Sequence, residues 1–196
     1  MGKKREAIKQ VEKADVEVSR AVAATRDSGP VRALGLYGEL TDQPPLFAFA
    51  GGVAVAGLLN RDRTMVLTAA RMAGAHWLGI IIKSAVKHQV DRTRPQLLLD
   101  EGRYGMGAGN SQEKALTSFP SGHTVGAVAI ARALIREYPG AALPAYGAAA
   151  AAAFARIAKC DHFVSDTAAG AAIGWVAEAI VDRVCRAGRQ ALPSYS

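Results

Sequence analysis

The sequence is poor in cysteine and in aromatic residues, and both shortages exclude classes of protein. Its 196 residues include two cysteines, Cys160 and Cys185, and only 6% aromatic residues. Two isolated cysteines provide neither a disulfide framework nor a Cys-x2-Cys metal motif, and acidic metal-binding clusters are also missing. These absences agree with a protein that needs no metal and no cofactor. The basic start, Met-Gly-Lys-Lys-Arg, is followed by no apolar stretch, so we expect no cleaved signal peptide.

The net charge of +7 raises the question of an anionic partner. Basic residues are not interleaved with aromatic ones, and no nucleic-acid-binding motif is present, so we expect no nucleic-acid partner. A membrane surface together with a phosphorylated substrate accounts better for the positive charge. The sequence gives no indication of the oligomeric state.

Half of the residues are apolar, and many of them fall into segments with little or no charge. Small residues recur four apart, as in Gly170-x3-Gly174 and Gly52-x3-Ala56, a spacing that lets helices approach closely in lipid. We therefore predict an all-α fold, a small integral-membrane bundle of about five apolar helices. The alternative is a soluble, alanine-rich bundle. The apolar segments are residues 44–60, 64–82, 124–135, 141–155 and 167–181.

The N-terminal stretch, residues 1–30, is different in character. Apolar residues recur at helical spacing among dense charges, which predicts an amphipathic helix that lies on a bilayer surface or packs on the other helices. We expect Ser28-Gly29-Pro30 to end it. The whole chain, 1–196, is then one domain with a membrane-embedded catalytic core at 44–185. The apolar positions are Ile8, Val11, Ala14, Val18 and Val22.

Three short blocks, separated by apolar segments, carry the side chains that phosphoryl transfer needs. A phosphate ester is held by cations, attacked by a nucleophile and protonated on its leaving oxygen. Each block alone is also typical of an ordinary helix end, and it is their combination that predicts a phosphatase. The blocks are Lys87-x6-Arg94-Pro95, Pro120-Ser121-Gly122-His123 and Arg156-x5-His162-x3-Asp166.

Helical periodicity suggests how the first block is arranged. Lys87 and Arg94 would share one helix face with Asp91, and Pro95 would end the helix. The Gly- and Ser-rich stretch from Pro95 to Pro120 then reads as an exposed loop over the site.

The other two blocks suggest an anion site and a nucleophile. Ser121 is a plausible N-cap, Gly122 lets the backbone approach a ligand, and His123 would point at an anion bound to the helix N-terminus. His162 and Asp166 are spaced i, i+4, so on a helix the carboxylate would accept a hydrogen bond from the imidazole and fix its tautomer.

The order and spacing of the three blocks resemble the type 2 phosphatidic acid phosphatase superfamily. Its pattern is Lys-x6-Arg-Pro, Pro-Ser-Gly-His and Ser-Arg-x5-His-x3-Asp. The sequence departs from it at one position, where Ala155 replaces the serine before Arg156. The resemblance implies the membrane branch, a hydrolase acting without metal or cofactor on a lipid phosphate or a polyprenyl (di)phosphate.

The resemblance also implies roles for individual residues. His162 would form a phosphohistidine intermediate with Asp166 holding its ring, and His123 would act as general acid and then as general base. The phosphoryl oxygens would be held by Lys87, Arg94, Ser121, Gly122 and Arg156.

Two other functions remain open at this stage. One is a non-catalytic membrane protein that binds anionic headgroups, which would need the charges but not the histidines. The other is a soluble phosphatase or a vanadate-dependent oxidase on the same scaffold.

Location and sidedness follow from the arginine distribution. Arginines cluster at helix ends opposite the three blocks, so the positive-inside rule predicts an outward-facing site in a bacterial inner membrane. The basic N-terminus argues against this orientation. Only two apolar segments precede Lys87, so the N-terminus would lie on the same side of the membrane as the site, which the same rule disfavours. The arginines are Arg61, Arg63, Arg132, Arg136, Arg183, Arg186 and Arg189.

Overall fold

The computed structural model describes residues 2–191, which form a bundle of helices with one small antiparallel pair of strands. This confirms the predicted all-α class. Each of the five predicted apolar segments falls on a helix, and three of these helices are long and apolar enough to cross a bilayer. The elements are α1 (Gly2–Ala23), α2 (Gly29–Glu39), α3 (Gln43–Leu59), α4 (Arg63–Lys87), β1 (Val90–Arg92), α5 (Pro95–Glu101), β2 (Met106–Ala108), α6 (Gly122–Glu137), α7 (Ala142–Ala158) and α8 (Val164–Ala191).

Three helices, α4, α6 and α8, pack against one another and form the centre of the bundle. Helix α3 packs on α4, α7 packs on α6, and α2 covers α7. Small side chains fill the interior; between α6 and α7 the buried cluster consists of alanines alone, Ala127, Ala131, Ala149 and Ala152. Alanine allows such close packing at little cost in side-chain entropy.

One of the two predicted small-residue motifs lies at a helix contact. A Cβ atom at Gly170 would lie 2.6 Å from the carbonyl oxygen of Ser121, and one at Gly174 would lie 2.5 Å from that of Val125. These glycines let α8 touch the backbone of α6. The other motif does not act this way, because Gly52 has no atom within 4 Å of its Cβ position.

The bundle is apolar on its outside, which is the arrangement of a membrane protein. Three segments are long and apolar enough to cross a bilayer, Arg63–Lys87, Pro139–Ala158 and Val164–Gly188, and the shorter Gln43–Leu59 is also apolar. Large apolar side chains on these helices are exposed, whereas the buried Arg71 and Arg132 are paired with glutamates. The exposed ones include Phe49, Leu58, Leu59, Trp77, Leu143, Phe154, Trp175 and Val184.

An ion pair in the interior shows the same pattern. The Arg132 Nε donates to Glu178 at 2.9 Å, and both side chains are buried. The Arg132 guanidinium also lies 3.4 Å from the centre of the Trp175 ring. Arg132, counted above among the charges at helix ends, is therefore a buried, paired residue, and it weakens the charge argument for sidedness.

Several boundaries differ from the prediction because prolines begin helices here. Helix α1 already ends at Ala23, and Pro30 lies in the first turn of α2. Helix α4 ends at Lys87, an extended strand follows, and Pro95 is the first residue of α5. A proline lacks only an N–H that the first turn does not use, so it is tolerated there. Lys87 and Arg94 therefore do not share a helix face, and the predicted 95–120 loop contains α5 and β2.

Helix α1 packs in an unexpected way. Its contacts run to α5, α7 and α8, and its buried side chains are the polar Asp15 and Ser19. The predicted apolar stripe stays largely exposed, with Ile8 at 56% and Val11 at 50%. Polar interactions, not the stripe, therefore hold α1 against the bundle.

The α6–α8 contact can be tested by adding one methyl group. We expect Gly170→Ala to lower the free energy of unfolding by about 1–3 kcal/mol, because the new Cβ collides with the Ser121 carbonyl. Gly52→Ala is the matched control, since the same change in open space favours a helix. Thermal unfolding in detergent micelles measures both; equal midpoints for the two variants would contradict the contact.

Candidate active site

The three blocks meet at one end of the bundle. Lys87 is the last residue of α4, and Arg94 immediately precedes α5. Ser121, Gly122 and His123 stand at the start of α6. The third block spans the α7–α8 connection, with Arg156 in the last turn of α7, His162 in the loop and Asp166 in the first turn of α8. All eight predicted residues thus lie at the same end of the helices.

His162 is buried and oriented by a backbone carbonyl. Its Nδ1 lies 2.7 Å from the oxygen of Ser118, and the side chain is almost fully buried. A carbonyl can only accept, so Nδ1 carries the proton and Nε2 is the unprotonated nitrogen of the neutral ring. No group in residues 2–191 hydrogen-bonds Nε2. Burial lowers the pKa of His162, which keeps this nitrogen available as a nucleophile at neutral pH.

Asp166 holds the loop rather than the imidazole. His162 precedes α8, and its Nδ1 lies 3.8 Å from the carboxylate, beyond hydrogen-bond distance. Instead Asp166 accepts from the Ser118 hydroxyl at 2.5 Å, from the Phe163 N–H at 2.8 Å and from Arg92 at 2.6 Å. The predicted direct hydrogen bond is therefore replaced by an indirect one, since Asp166 fixes Ser118, whose carbonyl fixes the ring.

The cations of the first block are held by different means. The Arg94 Nε donates to the carbonyl of Lys114 at 2.8 Å, and burial lowers the pKa of its guanidinium. Lys87 interacts electrostatically with Arg94 and with Lys83, one turn earlier on α4. Such a group of like charges is unfavourable unless an anion lies between them.

Arg156 is shared between two carboxylates. Its Nη1 lies 2.9 Å from Glu39, at the end of α2, and 3.2 Å from Asp161. Burial acts to raise the pKa of Glu39, but the hydrogen bond and charge of Arg156 outweigh it and lower that pKa. The Nε and Nη2 groups of Arg156 are buried and have no partner within residues 2–191. Buried N–H groups of this kind demand an acceptor, and a phosphoryl oxygen would serve.

The second block forms a helix N-terminus beside these cations. Ser121 is the N-cap of α6, as predicted, although its side chain makes no capping hydrogen bond. A Cβ atom at Gly122 would lie 3.3 Å from the Lys83 side chain, so the glycine leaves room at this point. His123 interacts electrostatically with Arg156 and His162. Its Nε2 is buried without a hydrogen bond among the described residues, 4.0 Å from Asp42.

The sequence did not reveal several residues of this site. Ser118 acts through its backbone carbonyl, for which no residue type is diagnostic. Lys83 repeats the position of Lys87 one helical turn earlier, and this i, i+4 spacing could have indicated it. Glu39 and Asp42 reach the site from distant parts of the chain and carry no local signal. No group of three or more His, Cys, Asp or Glu side chains in residues 2–191 is placed to hold a metal ion.

Comparison with protein families decides the relationship. The family model described as the PAP2 superfamily matches residues 68–186, more than half of the chain and all three blocks. The chain belongs to the PAP2 superfamily. The resemblance inferred from the motifs is thereby confirmed, and the departure at Ala155 does not remove the chain from the family.

Two solved structures share the fold. The transmembrane PAP2-type phosphatidylglycerolphosphate phosphatase from Bacillus subtilis has a TM-score of 0.65 and 18% identity, covering 95% of this chain and 90% of its own. LpxE from Aquifex aeolicus has a TM-score of 0.63 and 20% identity, covering 85% and 93%. No curated protein matches significantly. The three helices that are long and apolar enough to cross a bilayer support a membrane location for this PAP2 protein.

The role of Asp166 as an anchor for the loop can be tested at Ser118. We expect Ser118→Ala to lower the free energy of unfolding by about 1–3 kcal/mol, because a buried carboxylate oxygen loses a donor while the Ser118 carbonyl stays in place. Ser28→Ala is the control, since Ser28 makes no side-chain cap to α2. Thermal unfolding in detergent compares them; a Ser118→Ala variant as stable as the control would refute the anchoring.

Proposed function

We propose that this PAP2 protein is a metal-independent membrane phosphatase that hydrolyses a lipid phosphate or a polyprenyl (di)phosphate through a phosphohistidine intermediate. The observation that carries the proposal is the convergence of a histidine whose Nε2 is free with a second histidine and three cations at one end of the bundle. Binding a headgroup needs only the cations. The orientation of His162 by Ser118 adds nothing to binding and is what a nucleophile requires.

The first step would be an in-line attack. The Nε2 lone pair of His162 forms a bond to phosphorus as the bond from phosphorus to the leaving oxygen breaks. Protonated His123 gives its proton to that oxygen. Burial and the charge of Arg156 lower the pKa of His123 to about 4 in the absence of substrate, so the general acid depends on the negative charge of the bound phosphate to hold its proton. Charge on the three equatorial oxygens is stabilised by Lys87, Arg94 and Arg156, which lie at the same end of the bundle.

The second step would release phosphate. Neutral His123 takes a proton from water, the hydroxide oxygen attacks phosphorus, and the bond between phosphorus and Nε2 breaks. The products are inorganic phosphate, His162 in its original tautomer and protonated His123. Because the Ser118 carbonyl keeps the proton on Nδ1, the same nitrogen is free for the next turnover.

A lipid substrate is supported by where the site lies. It is formed at the helix ends, next to helices whose outer surfaces are apolar, and lipid phosphates reach the level of such helix ends while their tails stay in the hydrocarbon. The neighbour from Bacillus subtilis, which acts on phosphatidylglycerolphosphate, agrees with this assignment.

The mechanism predicts first that His162 is the nucleophile. Phosphate release by the detergent-purified protein, measured against a panel of lipid and soluble phosphates with chelator present, should vanish in His162→Ala. Vanadate, which mimics the pentacoordinate phosphoryl group, should inhibit the unmodified protein. His88→Ala is a matched control, because His88 is an exposed histidine that contacts Asn110 and is not one of the eight candidate site residues.

Each outcome decides between functions. Release that disappears only in His162→Ala supports the phosphohistidine mechanism, whereas full activity of that variant would end it. Release that stops on adding chelator would contradict metal independence. No release from any substrate, with binding to anionic vesicles retained, would favour a headgroup-binding protein.

We infer that the site faces away from the cytoplasm of a bacterial inner membrane. The loop Asn60–Asp62 and the C-terminal part of α8 lie at the end opposite the site and carry Arg61, Arg183 and Arg186, which supports a cytoplasmic location of that end. The basic residues of α1 lie at the same end of the bundle as the site, and by the same rule they argue against an outward-facing site.

Labelling tests this orientation. With Cys160 and Cys185 replaced by alanine, a cysteine is introduced either at Gly107, an exposed residue of β2 near the site, or at Asn60, exposed at the opposite end. A membrane-impermeant thiol reagent applied to intact bacterial cells should modify Gly107→Cys and spare Asn60→Cys. The reverse pattern would place the site in the cytoplasm.

A further inference from the structure

A buried chain of charges links the N-terminal helix to the candidate active site. Asp15, on α1, accepts a hydrogen bond from Arg92 Nη2 at 2.8 Å, and Arg92 Nη1 donates to Asp166 at 2.6 Å. Arg92 is therefore a bridge between two carboxylates, one at the site and one on a helix that begins the chain. The Arg92 guanidinium also lies 4.2 Å from the centre of the Phe163 ring, next to His162.

All three charged side chains of this chain are almost fully buried. Arg92 is 1% exposed, Asp15 3% and Asp166 0%. A buried charge is tolerated only where partners satisfy it, so the position of each group depends on the others. Arg92 has two carboxylate partners, and removal of either one would let it move towards the other.

Asp15 makes a second connection to the same region. Its Oδ1 accepts from the backbone N–H of Ser165 at 3.0 Å, and the Ser165 hydroxyl donates to its Oδ2. Ser165 lies in the first turn of α8, directly before Asp166. The carboxylate of α1 thus takes the place of an N-cap for α8, where free N–H groups and the helix dipole favour a negative charge.

We propose that Asp15 is a positioning residue for the reaction at His162. This rests on the proposed phosphatase function. Asp15 fixes Arg92 and the start of α8, these fix Asp166, and Asp166 fixes Ser118 and thereby the His162 ring. Helix α1 is therefore part of the active-site scaffold, although it contributes no group that touches the phosphate.

The way α1 packs supports a specific role for Asp15. The helix is held by Asp15 and Ser19, whereas its apolar stripe stays exposed. A helix that only covered the bundle would bury its apolar residues, because that burial is the usual source of packing energy. Here the buried contact is the one that leads to Asp166.

The experiment compares Asp15→Asn with Glu17→Gln in the detergent-purified protein. Both variants lose one carboxylate of α1, but Glu17 is exposed and forms a surface ion pair with Lys13. We expect Asp15→Asn to lower the rate constant of a single turnover about tenfold or more, since a small misplacement of the nucleophile is costly. The KM should stay within about twofold, because Lys87, Arg94 and Arg156 are untouched. Glu17→Gln should behave like the unmodified protein.

A single turnover with enzyme in excess over substrate distinguishes positioning from stability. Its rate constant does not depend on the fraction of protein that is folded, so a merely structural role for Asp15 would leave it unchanged while lowering the unfolding temperature. Combining Asp15→Asn with Arg92→Gln provides a second measure. Because one of the two routes from Asp15 to Asp166 runs through Arg92, the loss of rate in the double variant should be smaller than the product of the losses in the two single variants.

The outcomes separate this inference from the function on which it rests. A wild-type single-turnover rate in Asp15→Asn, or rate losses that multiply in the double variant, would overturn the positioning role. In either case His162→Ala still reports on the phosphatase. Absence of phosphate release from the unmodified protein would overturn the proposed function and the positioning role together.

Discussion

The structure depends on a carboxylate that has been removed from water. Asp166 is fully buried and accepts hydrogen bonds from a side chain before α6, from the backbone before α8 and from an arginine of β1. Its own carbonyl accepts the N–H of Ser121, the N-cap of α6. One residue therefore joins the starts of α6 and α8, two of the three central helices, to the loop of the nucleophile. A buried carboxylate imposes this precision, because each of its oxygens must find donors at hydrogen-bond distance.

The rest of the bundle obeys the same constraint, because a charged group surrounded by apolar side chains or lipid also needs a partner. Arginines within the bundle are paired with carboxylates, as Arg132 is with Glu178, while many leucine, phenylalanine and tryptophan side chains face outward. Close contacts between helices then fall to small residues, and glycines of α8 touch the backbone of α6. The polar groups needed for chemistry are confined to one end, where the helices stop and their backbone groups become available.

How far the sequence predicts this arrangement depends on whether the residues that interact are close together along the chain. The apolar segments and the three blocks are local patterns, and they identified the central helices and the end of the bundle where the blocks meet. Proline is ambiguous: Pro30 and Pro95 were interpreted as ends of helices but begin them, because the residue is compatible with both positions. The i, i+4 spacing of His162 and Asp166 was interpreted as a helical pair, whereas a loop directs the imidazole to a backbone carbonyl. Asp15 could not be found at all, since its partner Arg92 lies 77 residues away along the chain.

Arg156 is paired with carboxylates of the protein itself. Its Nη1 is occupied by Glu39, a carboxylate on the half-exposed end of α2. A phosphate bound to the free Nε and Nη2 groups would share the guanidinium with this carboxylate, so the affinity of the site for anions would be lower than its positive charge suggests. Release of an anionic product would be favoured by the same carboxylate, because a site with uncompensated cations would retain the product.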